Sequence, residues 1–80
     1  MNKTELHEYK EQIRINLVNK QAKLYGAISI KRADIAERLF NKKWFDVKNA
    51  KMIIKLSSEL LCLCNELEII ENDPGITIND

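Results

Sequence analysis

Six apolar residues, Ile53, Leu56, Leu60, Leu63, Leu67 and Ile70, follow one another at spacings of 3, 4, 3, 4 and 3. An α-helix advances by about 100° per residue and holds such a set on one side, whereas a strand would scatter it over both faces. A chain built around this stripe has to bury it against another helix. Ala50, Ile54, Leu61 and Cys64 widen the stripe, and Lys48, Lys51, Lys55, Ser58, Cys62 and Glu66 collect on the opposite side. The pattern predicts a helix over residues 47–67, capped by Asp46, with Ile53, Leu56, Leu60 and Leu63 buried and the three lysines exposed. The same phase leaves Cys62 more exposed than Cys64.

Upstream, Asn2 and Glu5 have the spacing of a capping box, and Glu8 and Glu11 add negative charge where a helix start favours it. Leu6, Tyr9, Ile13, Leu17 and Leu24 then recur at helical intervals. Gly26 suits a left-handed stop, so a first helix is expected over residues 3–25. The β-branched Ala-Ile-Ser-Ile segment, residues 27–30, suits a short strand or an extended connector. Ser29 can cap a second helix over residues 31–41. Lys42, Lys43, Trp44 and Phe45 form a connector whose aromatic pair is expected to plug the junction between the second and third helices. After the leucine stripe, Asp73-Pro74-Gly75 favours a turn. Either residues 68–78 form a short hairpin around it, or the third helix runs through Ile70, stops before proline and leaves a tail.

Eighty residues make a single small helical domain, spanning residues 1–80. Such a chain buries only about 60% of the surface its unfolded form exposes, so oligomerisation is a natural source of stability. Cys62 and Cys64 point about 200° apart on a helix and cannot readily share a metal or a bond. They read as reduced thiols of a cytoplasmic protein. His7 has no cysteine, serine or acid placed to make it a base, and two glycines cannot build a phosphate loop. No catalytic set, cofactor or metal is expected. The longest apolar run, Leu60 to Cys64, is far too short for a membrane span.

In order, the expected elements are a long helix, an extended piece, a short helix, a turn, a longer helix and a hairpin. That order resembles winged helix-turn-helix DNA-binding domains. The segment ISIKRADIAERL is similar to the start of such a module, and ELLCLCNELEIIENDPGITI to its end, where the third helix gives way to the wing. The resemblance implies a mainly α, three-helix fold with a possible short C-terminal β-hairpin, and a regulator of transcription that binds double-stranded DNA; the small core and broad stripe add the expectation of a homodimer.

The charge distribution adds to this. All 13 basic residues and half of the 12 acids lie between Met1 and Lys55, and only acids follow. Lys48, Lys51 and Lys55 sit at a helix start, which already attracts anions. With Arg32, Arg38, Lys42 and Lys43 they make the expected phosphate-contacting set. Asn49 lies too near the apolar arc to read bases. Glu68, Glu71, Asp73 and Asp80 would repel phosphate, so a wing is not expected to grip DNA. The competing expectation is a dimeric inhibitor or adaptor that binds protein, with the leucine stripe as a seam between two chains and the acidic end as contact surface.

Overall fold

A computed structural model describes residues 2–41, 43 and 45–77, and up to residue 75 their side chains as well. It shows an antiparallel helical hairpin: α1 spans Lys3–Phe40, α2 spans Val47–Glu71, and a single turn, α3, spans Pro74–Thr77. No strand occurs among the described residues. At about 1.5 Å per residue, α1 is roughly 57 Å long and α2 roughly 38 Å. The Cα trace measures 62 × 16 × 14 Å. Its radius of gyration is 18.5 Å, against roughly 12 Å for a compact chain of this length. The molecule is a rod.

The winged helix-turn-helix expectation is therefore corrected: the segments read as two helices and a connector are one helix. Gly26 takes an ordinary helical conformation, without a positive φ. Leu24 and Ile28, on either side of it, are both buried against α2 in one cluster with Leu67 and Ile70. Glycine costs a helix about 1 kcal/mol and each β-branched residue a few tenths. Burying Leu24 and Ile28 contributes about 1.5–3 kcal/mol apiece, and so decides the conformation. No strand lies among the described residues for residues 27–30 to join.

Both long helices start as their sequences suggest. The Asn2 side chain accepts from the Glu5 backbone N–H at 2.8 Å, and the Asn2 N–H donates back to the Glu5 carboxylate at 3.4 Å. Asp46 caps α2 by accepting from the Lys48 N–H at 2.9 Å. In the turn between the helices the Asn41 side chain accepts from the Lys43 N–H at 2.9 Å. Phe45 does not plug this junction, being 72% exposed. Lys42 and Trp44 lie outside the described residues.

The expected hairpin at 68–78 is also replaced, up to residue 77, by helix; Ile78 lies outside the described residues. α2 continues to Glu71, and the Asp73 side chain then accepts from the Gly75 N–H at 2.8 Å. Pro74 fills the first position of α3, where a missing N–H costs nothing. α3 lies so close to α1 that a Cβ on Gly75 would come within 2.7 Å of Leu17 Cδ1 and 3.3 Å of Ile13 Cγ2. Asp-Pro-Gly therefore caps a helical turn here, and its glycine permits the close approach.

Part of the leucine stripe packs against α1 of the same chain. Leu56, Leu67 and Ile70 are buried, while Ile53, Leu60 and Leu63 are half-buried. The first ten residues of α1 extend beyond α3, whose Gly75 lies beside Ile13 and Leu17, leaving Leu6 and Tyr9 exposed.

Candidate functional site

Three polar links tie the hairpin together. Near the open end the Tyr25 hydroxyl donates to the Glu71 carboxylate. Midway, Lys31 Nζ meets Glu59 Oε2 at 2.5 Å. At the turn, Asn49 donates from Nδ2 to the Arg38 carbonyl at 3.1 Å and accepts from Arg38 Nη1 at 3.3 Å. The Tyr25–Glu71 hydrogen bond, helped by loss of water and by the negative charge of Glu71, holds the phenol above its ordinary pKa. The hydrogen bond from Lys31 holds Glu59 below the usual carboxylate range.

The expected phosphate-contacting set is divided by this arrangement. Arg38, Lys43 and Lys48 line a recess of about 290 Å³ at the turn, together with Asp46, Asn49 and Met52. Asp34 pairs with Arg38 at 3.4 Å, and Asn49 engages it from α2, so Arg38 is committed to the fold. Lys51 and Lys55 are exposed further along α2. Arg32 is on another side of the hairpin, in a groove of about 510 Å³ with Ser29, Ala33, Ala36, Leu39 and Leu60. Lys42 is outside the described residues. Without a separate recognition helix and a wing, these cations lack the frame that the DNA-binding expectation assumed.

A different feature emerges when each residue is placed by its helical phase relative to the α1–α2 seam. The two helices run in opposite directions, so positions displaced in the same rotational sense from the seam fall on one broad side of the rod. On α1 that side carries Val18, Tyr25, Ser29, Ala36 and Leu39, flanked by Ile15, Ala22, Ala33 and Phe40. On α2 it carries Ala50, Ile54, Ser57, Leu61 and Cys64. The groove of Ser29, Ala36, Leu39 and Leu60 is the furrow between the helices on this side. Ile54 is 66% exposed, Leu61 61% and Tyr25 49%.

Within residues 15–40 and 47–71 the charges on this side are Arg32 and, toward the open end, Glu68 and Glu71, the last bonded to Tyr25. Lys20, Lys23, Lys31, Asp34, Glu37 and Arg38 of α1, with Lys48, Lys51, Lys55, Glu59 and Glu66 of α2, all fall on the other side. The recess of Arg38, Lys48 and Met52 and the Lys31–Glu59 pair lie there too. One broad side of the rod carries most of the charge, and the other, the bare side, is nearly free of it between Val47 and Cys64. A second stripe, Val47, Ala50, Ile54, Ser57, Leu61 and Cys64, is spaced 3, 4, 3, 4 and 3 and could have shown this in the sequence. As a mere broadening of the leucine stripe it carries no such message.

Cys62 and Cys64 are both free and exposed, on different sides of the hairpin. No group of three His, Cys, Asp or Glu side chains could hold a metal ion among the described residues. Nor is any helix among them long and apolar enough to cross a membrane. Comparison with known protein families, with curated proteins and with solved structures finds no match.

Proposed function

We propose that this chain is a protein-binding helical module, an adaptor or inhibitor that acts by laying its bare side against helices of a protein partner. One observation carries the proposal: of the fourteen charges in residues 15–40 and 47–71, eleven share one side, leaving on the other a two-helix surface that is apolar but for Arg32, Glu68 and Glu71. Monomeric proteins rarely leave so large a contiguous apolar patch in water, and such patches mark interaction sites. Helix-in-groove recognition needs anchors at intervals of three and four residues, as Val47, Ala50, Ile54 and Leu61 provide. The lysines of the charged side serve solubility and give approach a direction.

Photo-cross-linking in cells compares the two sides directly, with a photoreactive residue placed at Ile54 or at Lys51. The expected outcome is discrete protein adducts from position 54 and none from position 51. Nucleic-acid adducts from position 51, with no protein adduct from position 54, would sink the proposal.

A further inference from the structure

We infer that the partner covering the bare side is a second copy of this chain, its long axis opposed to the first, so that two hairpins close into a four-helix bundle. This rests on the protein-binding reading of the same surface and names its occupant.

The first support is area. The chain exposes 6567 Å² at a mass of 9.3 kDa, where a compact monomer of that mass would expose roughly 5000 Å². The excess is therefore roughly 1600 Å², and a standard interface buries about 800 Å² on each partner. The bare side supplies that much. The 25 residues of α2 at about 1.5 Å each give a paired length of roughly 38 Å. Two helices about 10 Å apart give a width of roughly 20 Å, and so an area on the order of 750 Å². The intrachain seam is thin by comparison: five buried side chains, none below 6% exposure. Two packed hairpins would share one core, which is how small helical chains usually reach stability.

The second support is charge. Folding back on itself turns the sequence asymmetry into a lengthwise polarity. The turn end holds Lys31, Arg32, Arg38, Lys43, Lys48, Lys51 and Lys55 against four acids, Asp34, Glu37, Asp46 and Glu59. The open end gathers Glu5, Glu8, Glu11, Glu66, Glu68, Glu71 and Asp73 against five bases, Lys3, Lys10, Arg14, Lys20 and Lys23. Opposed copies set each positive end beside a negative one, whereas copies running the same way would stack two positive ends. The bare side carries three charges: opposed copies set Glu68 and Glu71 toward the partner's basic turn end, and the long stem of Arg32 lets its guanidinium reach water at the groove edge. A largely uncharged surface of this kind fits another like it, and the chain carries its own complement. A two-fold axis across the rod satisfies both conditions and closes the assembly at two chains.

Sedimentation equilibrium of the full chain across the micromolar range tests the inference. A monomer–dimer equilibrium is expected, weakened at least tenfold by Ile54→Glu and by Leu61→Glu and unchanged by Ser58→Gln, an exposed position on the charged side. Both apolar residues are exposed in the single hairpin, so far-ultraviolet circular dichroism of the variants should keep wild-type helicity. Wild-type thiol labelling gives a second readout that needs no variant: Cys64 should become protected as concentration rises, and Cys62 should not. Energy transfer between labels at His7→Cys, in a Cys62→Ser, Cys64→Ser background, reports direction. Residue 7 lies about 20 residues from the middle of the bare side, so opposed copies separate the labels by roughly 60 Å and transfer should be weak. Strong transfer would overturn the opposed arrangement. A dimer indifferent to Ile54→Glu and Leu61→Glu, with Cys64 labelled at every concentration, would overturn the assignment of the surface. A wild-type chain that stays monomeric would overturn self-association alone, and the protein-binding reading would then stand or fall on cross-linking from position 54.

Discussion

Gly26→Ala separates the two ways of reading the middle of the chain, because they predict opposite signs. A glycine that ends a helix in the left-handed region cannot be replaced without strain, and alanine there would destabilise by more than it removes in unfolded-state entropy. In the structure Gly26 lies inside a 38-residue helix, without a positive φ. A Cβ built on it meets nothing within 4 Å. Alanine should therefore stabilise the protein, by about 1 kcal/mol from helix propensity and reduced unfolded-state freedom. For a domain of this size that corresponds to a rise in Tm of roughly 4–8 °C. Thermal and urea unfolding at matched protein concentration would measure it, since any association makes Tm concentration-dependent. A fall in stability would refute the continuous first helix, and with it the placement of every residue from 27 to 40.

Leu67→Ala should cost about 2–3 kcal/mol, the lower end of the buried-leucine range because its core is thin, whereas Leu61→Ala should fall within about 0.5 kcal/mol at concentrations where the chain is single. Equal losses in dilute urea melts would show that the seam is misplaced. Glu59 is lowered in pKa by Lys31, so its contribution is present above the ordinary carboxylate pKa and disappears as pH falls through the folded value. The stability difference between wild type and Glu59→Gln should accordingly shrink on acidification, and a pH-independent difference would show that the pair does not form.

The second long helix was legible because its information is local and repeated. Asp46 caps it, Ile53 to Ile70 set its phase, and no glycine or proline interrupts it before Pro74. Asn2 and Glu5 announce the start of α1 in the same way. What misleads is punctuation. Gly26 and the Ile28-Ser29-Ile30 run imitate a helix end and a strand, and from them follows the likeness to a winged helix-turn-helix. A longer view holds the contrary signal: Leu17, Leu24, Ile28 and Ile35 keep one helical phase straight across Gly26. The basic residues were visible as a cluster along the chain, yet Arg32 and Lys48 fall on different sides of the rod.

The sequence by itself determined that this chain is helical, where both long helices begin, and that Leu56, Leu67 and Ile70 face inward, since caps and three-four spacing act over a few residues. Only the tertiary structure decided that α1 runs through Gly26, because burial of Leu24 and Ile28 against Leu67 and Ile70 outweighs propensities of a kilocalorie or less. It also decided that part of the leucine stripe finds its partner within the chain. The charged and bare sides exist only once two antiparallel helices are aligned, because each helix contributes half of either surface. The same holds for Asp73-Pro74-Gly75: turn chemistry permits a hairpin or a helical cap, and the approach of Gly75 to Leu17 selects the cap.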